Sequence, residues 1–458
     1  MSLILKKGSL KNLFCLTKTR HLWYPQNSAL SHWYANMEVF NMLLQKDYTN
    51  TNNYKKFKID SKNLSWTPDS WRLHPALQQP TFQDARLFQK CIKKLKEASE
   101  IVSFAKIQEL KNKIASAEKG KSFLFQAGDC AELFKDCTFD RVKLKILELT
   151  KQKEILQLGL NKEITLIGRI AGQFAKPRSE SYETIENITL PAYRGDIINS
   201  SKFTYEARVN NPINLIKSYH KSKKVLNYAQ IFNKNSNMYS SHEALLLDYE
   251  SALTRYDARY NQFYNSSSHF VWVGERTRQI NGAHIKYLSG ITNPIGIKFS
   301  ENITTDELIK MVEILNPNQE NGKIVLIPRM GHQKISDNLP KFIRSIHKEG
   351  FNVTWMSDPM HGNTEKTKKG IKTRSFNKIL DELILSLQIH KSENSFLGGM
   401  HLETSPDNVT ECTGGFQNIT EKDLLLNYQT ACDPRLNSLQ TIEIISHFIK
   451  EYVRISNE

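Results

Sequence analysis

The chain has 458 residues, of which 39% are hydrophobic and 24% are charged, and its formal net charge is +16. This length allows two or three average domains or one decorated barrel, and the apolar content is sufficient for a large core. The sequence holds no run of about 18 uncharged apolar residues and no helix-turn-helix, zinc-finger or RNA-binding signature, so we expect neither a membrane nor nucleic acid as a partner.

The first part of the chain is basic. Residues 1–64 hold ten Lys or Arg and three acidic residues, and none of the acidic residues lies in 1–36. This composition is typical of an organellar transit peptide, but it also fits a disordered basic tail or a start codon placed too early, with Met37 or Met42 as the true beginning. We therefore predict a leader or linker over 1–64 and a single domain over 65–458.

The six cysteines show no paired spacing, which favours free thiols in a reducing compartment. The expected location is the cytoplasm. A plastid or another organelle is the alternative if the basic leader is a transit peptide.

Short apolar runs rich in Val, Ile and Phe alternate with amphipathic stretches through the rest of the chain. The runs are 123–130, 164–169, 269–276, 295–298, 324–329, 353–361 and 396–403, and a further strand is expected at 238–243. Alternation of this kind predicts the buried parallel strands of an α/β fold, the (β/α)8 TIM barrel. Helical spacing over 84–117 predicts an amino-terminal helical extension. The long interval from Arg169 to His269 predicts an insertion after the second barrel strand.

Many of these runs end in a residue that can hold an anion or a metal, and barrels of this class have their active sites at the carboxyl ends of the strands. The cations at or just beyond the strand ends are Arg169, Lys176, Arg178, Arg276, Lys298, Arg329, Lys372 and Arg374. Like charges converge around anions, and the forked guanidinium suits phosphate and carboxylate oxygens. The pattern therefore predicts a site for small phosphorylated molecules.

The signal for a metal is weaker. Cys130, His361, Glu403 and Asp433 are far apart, without the local spacing of a zinc motif, although three of them end strand runs. On the residues alone, a buried thiol, a strand-end histidine and two salt-bridge carboxylates remain an alternative interpretation.

Several polar motifs carry a more specific signal. In chain order they include SWRLHPALQQP (70–80), QAGDCAE (126–132), GRIAGQFAKPRS (168–179), GERTRQINGAH (274–284), IPRMG (327–331), DPMHGNT (358–364), GGMHLE (398–403), NVTEC (408–412) and CDPRLN (432–437). Over about residues 65–455 the chain resembles the class II, plant-type 3-deoxy-D-arabino-heptulosonate-7-phosphate (DAHP) synthases. The resemblance implies a metal-dependent TIM barrel that condenses phosphoenolpyruvate with D-erythrose 4-phosphate, at the entry of the shikimate pathway to chorismate and the aromatic amino acids.

The resemblance also implies residue roles. The ligands of a divalent metal would be Cys130, His361, Glu403 and Asp433, and we expect manganese, with cobalt or another divalent ion as the alternative. The substrate-binding residues would be Arg169, Lys176, Arg178, Ser179, Glu275, Arg276, Lys298, Arg329 and Lys372. Lys176 and His361 are the predicted catalytic residues for proton handling, and Glu243 and Asp358 are further polar candidates.

Two other functions stay open. An enzyme of the same fold could serve secondary metabolism on an amino-sugar analogue, and a non-catalytic regulatory homologue could keep the fold without the activity. A homo-oligomer is expected, and a chorismate mutase is a candidate protein partner.

Overall fold

The computed structural model describes residues 66–232 and 238–457, so the predicted leader over 1–64 lies outside the described residues. The centre is a closed barrel of eight parallel strands. The barrel strands, numbered in chain order, are Ser122–Gly128 (β1), Glu163–Arg169 (β2), Met238–Glu243 (β3), Phe270–Val273 (β4), Ile295–Phe299 (β5), Ile324–Pro328 (β6), Thr354–Ser357 (β7) and Leu397–Glu403 (β8). β1 pairs with both β2 and β8, which closes the barrel. The predicted TIM barrel is confirmed, including the strand at 238–243.

A helix follows each barrel strand. In chain order these helices are Phe139–Leu160, Ile213–Phe232, Leu247–Ala252, Ala283–Leu288, Thr305–Leu315, Ile335–Lys348, Phe376–Ser392 and Ser438–Ser456. The helix Thr305–Leu315 shows how the sequence specifies such an element. Thr304 and Glu307 form a capping box at its start, and Leu308, Met311, Val312 and Leu315 form its buried stripe. None of the helices in the described part of the chain is long and apolar enough to cross a membrane.

The amino-terminal extension is helical, as predicted, but it consists of two helices, Ala85–Glu97 and Phe104–Glu118. The second one, called the plug helix below, buries Leu110, Ile114 and Ala117 in one cluster with residues from the barrel interior. Thr354 Oγ1, at the start of β7, donates to the carbonyl of Ile114 at 3.2 Å. The plug helix therefore closes the barrel at the amino ends of its strands.

The predicted insertion after β2 is also present. It consists of a hairpin of Tyr182–Ile185 with Ile188–Pro191 and a short helix Tyr205–Arg208, ahead of the helix Ile213–Phe232. A second hairpin, Thr254–Asp257 with Gln262–Asn265, precedes β4.

Two further segments lie over the carboxyl end of the barrel. After β7, a hairpin of Thr364–Lys366 with Lys372–Arg374 brings two of the predicted cations to this end. After β8, residues 404–437 cross the same end before the last helix, and the backbone of Leu436 donates to the carbonyl of Glu403 at 3.0 Å.

Candidate active site

The four predicted metal ligands converge at the carboxyl end of the barrel. Cys130 follows β1 by two residues, Glu403 is the last residue of β8, His361 lies in the turn after β7, and Asp433 lies in the segment 404–437. The ligating atoms of Cys130, Glu403 and Asp433 lie within 4.8 Å of one another. His361 Nε2 is 3.1 Å from Glu403 Oε1. A thiol, an imidazole and two carboxylates gathered in this way form a donor set that fits a divalent transition metal.

Asp358, the residue after β7, orients His361. Its Oδ2 lies 2.8 Å from His361 Nδ1, so the Nδ1 proton is donated to Asp358 and the Nε2 lone pair faces Glu403. Metal-binding histidines commonly have a carboxylate on their second nitrogen in this way. Burial lowers the pKa of His361 despite its two carboxylate neighbours, which favours the neutral imidazole that a metal requires.

Glu403 is fully buried, yet it is surrounded by positive charge. Arg169 NH2 is 2.8 Å from its Oε1 and Arg374 NH1 is 2.7 Å from its Oε2, with Lys176 Nζ at 3.7 Å. Burial by itself would raise the pKa of Glu403, but His361, Lys176, Arg374 and Arg169 together hold it well below its usual value. Glu403 is therefore an ionised carboxylate even without a metal.

Cys130 and Asp433 are in direct contact, with Cys130 Sγ 3.6 Å from Asp433 Oδ2. Burial raises the pKa of the Cys130 thiol well above its usual value, and the neighbouring carboxylates add to this effect. Lys176 Nζ lies 3.1 Å from Asp433 Oδ2. Burial would lower the pKa of Lys176, but these acidic neighbours raise it instead, so Lys176 is a charged ammonium at the edge of the ligand cluster.

A second group of polar residues next to the predicted ligands surrounds the ring of Trp272. The guanidinium carbon of Arg169 and the Nζ of Lys298 lie 5.1 Å and 5.2 Å from the centre of its ring, in cation–π contact. His401 Nε2 lies 2.9 Å from both Arg169 NH1 and Lys298 Nζ. Because both neighbours are donors, Nε2 must accept, and Nδ1 carries the proton that is donated to Gln126 Oε1 at 2.6 Å. His401 is thus a neutral acceptor that holds two cations in place.

Lys298 is almost fully buried between Asp358, at 2.9 Å, and His401. Burial, followed by the repulsion of Arg169, lowers the pKa of Lys298 to about 8 although Asp358 raises it. A lowered pKa means that the fold does not fully compensate this charge. An anion bound beside Lys298 would supply the missing compensation.

The other predicted substrate residues lie at the same end of the barrel. Arg276 NH2 contacts Ser179 Oγ at 2.6 Å, and Arg329 NH2 donates to the carbonyl of His361 at 3.0 Å. Lys372 Nζ lies 3.2 Å from Asp433 Oδ1. A cleft of about 370 Å³ is lined in part by Glu275, Arg329 and His361.

Two of the predicted residues have different surroundings. Arg178 pairs with Glu183 of the insertion hairpin, and its backbone N–H donates to Gln78 at 3.0 Å, so its partners belong to the rim of the barrel. Glu243, at the end of β3, is buried, and burial raises its pKa against the opposing effect of Lys176, Lys298 and Arg276. Glu243 is therefore adjacent to the cations although it is not among the metal ligands.

Two residues central to this geometry had no role assigned from the sequence. Arg374 was noted only as one of the strand-end cations, and His401 was not singled out. Strand alternation could have identified His401, because it precedes Glu403 by two residues on β8 and so points to the same face. Arg374 follows from no local pattern, since its partner Glu403 lies 29 residues further along the chain.

The family match and the two relatives described below agree with one another. Residues 66–236 and 232–449 match the Class-II DAHP synthetase family. A Streptomyces coelicolor protein named phospho-2-dehydro-3-deoxyheptonate aldolase is 38% identical over 437 residues, which cover 84% of this chain and 97% of that protein. A Neurospora crassa protein of the same name is 38% identical over 447 residues, which cover 83% of this chain and 92% of that protein. A solved structure of the phospho-2-dehydro-3-deoxyheptonate aldolase from Francisella tularensis SCHU S4 has a TM-score of 0.49 and 19% identity, covering 82% of this chain and 98% of that one.

Proposed function

The chain belongs to the class II DAHP synthetase family, and on that premise we propose that its barrel condenses phosphoenolpyruvate with D-erythrose 4-phosphate and water to give DAHP and inorganic phosphate. This reaction is the first step of the shikimate pathway to chorismate and the aromatic amino acids. The observation that supports the proposal most directly is the convergence of Cys130, His361, Glu403 and Asp433 beside a set of buried cations.

Phosphoenolpyruvate carries a phosphate and a carboxylate, and four cations are suited to hold it. Arg169, Arg276 and Arg329 offer guanidinium forks for anionic oxygens, and Lys298 offers a point charge that the fold leaves undercompensated. Glu275 lines the same cleft as Arg329. An anion bound to Lys298 would raise the pKa of its ammonium and keep it charged at neutral pH.

Erythrose 4-phosphate would bind on the other side of Lys176. Arg178, Ser179 and Lys372 are the residues assigned to its phosphate. The contact between Arg276 and Ser179 joins the residues assigned to the two substrates, which supports binding of both anions next to each other. Holding two reactants in register lowers the entropic part of the barrier.

Cys130, His361, Glu403 and Asp433 would hold the metal, which we propose is manganese, with cobalt as the alternative because this mixed donor set accepts several divalent ions. When bound, such an ion is a Lewis acid that polarises the sugar aldehyde. Asp358 keeps His361 Nε2 unprotonated for that role.

Lys176 is the proposed proton donor. As the bond between C3 of phosphoenolpyruvate and C1 of the sugar forms, the aldehyde oxygen gains negative charge, and the charged Nζ of Lys176 can protonate it. Water then adds at C2, and cleavage of the C–O bond releases inorganic phosphate. His361 is less available for proton transfer, because its Nδ1 proton is held by Asp358 and its Nε2 lone pair would be bound to the metal.

An assay of phosphate release tests the proposal. We expect release only when both substrates are present, loss of release with a chelator, and recovery with manganese. A matched reaction with phosphoenolpyruvate alone controls for simple phosphatase activity. A folded, manganese-supplemented protein that releases no phosphate from the substrate pair would contradict the proposal.

The finer assignments need separate measurements. We propose a homo-oligomer, which light scattering tests, and a chorismate mutase partner, which a change of activity on mixing the two proteins tests. We propose a cytoplasmic location. Determination of the mature amino terminus tests it, since removal of residues 1–64 would instead support an organelle.

A further inference from the structure

Asp433 differs from the other three predicted ligands in the element that carries it. Cys130, His361 and Glu403 lie on a barrel strand or within four residues of one. Asp433 lies in the segment 404–437, whose described residues include no helix or strand apart from the short 3-10 turn Leu424–Leu426. Side chains on irregular segments are placed less accurately than side chains on strands unless other contacts support them. The segment therefore needs a separate anchor at this point.

Glu411 provides contacts on both sides of Asp433. This carboxylate is completely buried. Its Oε1 accepts hydrogen bonds from the backbone N–H groups of Gln429, at 3.0 Å, and Thr430, at 2.7 Å. Its Oε2 accepts from the backbone N–H of Arg435 at 2.8 Å. One side chain thus holds the backbone before and after the ligand.

Arg435 extends this anchor to the segment that follows β1. Its Nε and NH2 bind Glu411 through both carboxylate oxygens, at 3.0 Å and 2.8 Å, and its NH1 lies 2.7 Å from Asp129 Oδ1. Asp129 directly precedes the ligand Cys130, and its other oxygen pairs with Lys145 at 2.5 Å. Arg435 therefore links the backbone around Asp433 to the backbone around Cys130.

The four side chains Glu411, Arg435, Asp129 and Lys145 form a row of alternating charge, called the ion row below. Each is at most 8% exposed. Burying four charges costs solvation, and well-packed apolar residues are often at least as stabilising as buried ion pairs. A gain in stability is therefore a weak explanation for the ion row. Fixed geometry is a better explanation, because directional, charge-assisted hydrogen bonds hold groups in a defined arrangement. The segment also contacts the ligand cluster directly, since the backbone N–H of Asp433 points to Cys130 Sγ at 3.2 Å.

We propose that Glu411 and Arg435 are positioning residues that preassemble the metal site by fixing Asp433 against Cys130. The inference rests on the metal site of the proposed function. Neither residue is a proposed ligand of the metal or of a substrate. Glu411 acts through the backbone on both sides of Asp433, and Arg435 ties that backbone to Asp129. The NVTEC and CDPRLN motifs, which supply Glu411 and Arg435, thereby acquire a physical role that the reaction by itself does not assign.

The test measures cobalt binding to the full-length protein. A cobalt–thiolate charge-transfer band that Cys130→Ser abolishes reports a bond to Cys130, and competition with a chelator gives the dissociation constant. For Glu411→Gln, which keeps the shape of the side chain, we expect binding weaker by about 10- to 100-fold, as for other partners that orient metal ligands. Arg435→Lys keeps the charge but loses the fork, and we expect a similar loss.

A matched control is Glu250→Gln. Glu250 is also buried and both of its oxygens are bonded, but to His242, Asn265 and Ser267 instead of the ion row. We expect this variant to bind cobalt as the parent protein does. A thermal unfolding midpoint measured without metal for all three variants separates a general loss of folding from a loss of positioning.

A double variant separates positioning from other structural effects. In an Asp433→Asn background, we expect Glu411→Gln to cause no further loss of cobalt affinity, because its effect passes through Asp433. A loss that persists in this background overturns the proposal, as does parent-like binding by both Glu411→Gln and Arg435→Lys. If the parent protein itself shows no thiolate band, the proposed metal site is wrong and the positioning role fails with it. A parent band with unaffected variants refutes the positioning role alone.

Discussion

The two ends of the barrel solve different physical problems. At the amino end, the plug helix buries Leu110, Ile114 and Ala117 against apolar strand residues. The buried Lys323 at this end donates to the carbonyls of Ile291 and Asn293. At the carboxyl end, by contrast, four cations lie close together around a few carboxylates, namely Arg169 of β2, Lys176 of the loop after it, Lys298 of β5 and Arg374 of the hairpin after β7.

This difference separates stability from function. The amino end removes apolar surface from water, which is the main source of folding free energy. The carboxyl end keeps several buried cations close together, an arrangement that costs stability and serves chemistry. Substitutions at the amino end should therefore lower stability more than activity, and substitutions at the carboxyl end should lower activity more than stability.

The largest effect is expected at the metal ligands. Cys130→Ser should lower the rate of phosphate release on the order of 10³-fold, because a weakly binding hydroxyl replaces the thiol. Its thermal unfolding midpoint without metal should stay near that of the parent protein. Cys91→Ser, at a buried cysteine of the helix Ala85–Glu97, is the control and should remain active. Parent-like activity of the Cys130 variant would show that the thiol is not a ligand.

A substitution in the plug helix should lower stability and leave the activity of the folded protein unchanged. Leu110→Ala should lower the free energy of unfolding by about 2–5 kcal/mol, since the fully buried side chain leaves a cavity. The activity of the fraction that remains folded should be unchanged. Leu158→Ala, at a residue that is 84% exposed, should change neither quantity. Denaturation and activity measured on the same samples test the comparison, and a large fall in activity at constant stability would reject it.

Lys298 tests whether the charges of the carboxyl end oppose folding. Lys298→Met should reduce activity by about 100-fold, because a charge that binds substrate is lost. The same variant without substrate should be no less stable than the parent protein at pH 7, because burial and Arg169 lower the pKa of this lysine to about 8. A clear loss of stability would mean that the pair with Asp358 outweighs these costs.

Lys323 should affect stability alone, and its effect depends on pH. Burial, with repulsion from Lys111, lowers its pKa to about 7 although Glu320 raises it. Between pH 7 and the ordinary lysine pKa, the unfolded chain binds more protons than the folded one, so this group makes stability rise with pH there. Its contribution is at most about 1.4 kcal/mol per pH unit.

In Lys323→Met this contribution disappears. The stability of the variant relative to the parent protein should therefore decrease as the pH rises from 7 to 9.5. Urea unfolding at several pH values measures the difference, with the exposed Lys93→Met as the control. Parallel stability curves for the parent and the Lys323 variant would contradict the low pKa, and activity at pH 7.5 should be unaffected.

The sequence predicted the barrel well because its strands are buried on both faces. Such strands are continuous apolar runs in the sequence, and each of the predicted runs coincides with a barrel strand. The prediction of the amino-terminal extension was less accurate. Apolar residues continue at helical spacing through 98–103, which hides the break, but Ser103 begins a new helix by accepting a hydrogen bond from Lys106 N. The cap at Ser103 favours the start of a new helix, whereas the apolar spacing favours one continuous helix. The spacing alone does not reveal which of the two forms.

The sequence by itself determined the barrel, the order of its strands and the chemical type of the residues at their ends, because these properties depend on local patterns of a few neighbouring residues. The tertiary structure decided which of those ends meet. It alone places Asp433 against Cys130 across 303 residues of chain, assigns the proton of His401 to Nδ1, and joins Glu411, Arg435 and Asp129 into one row. Such contacts depend on distances through space between remote segments, and local patterns of residues do not encode those distances.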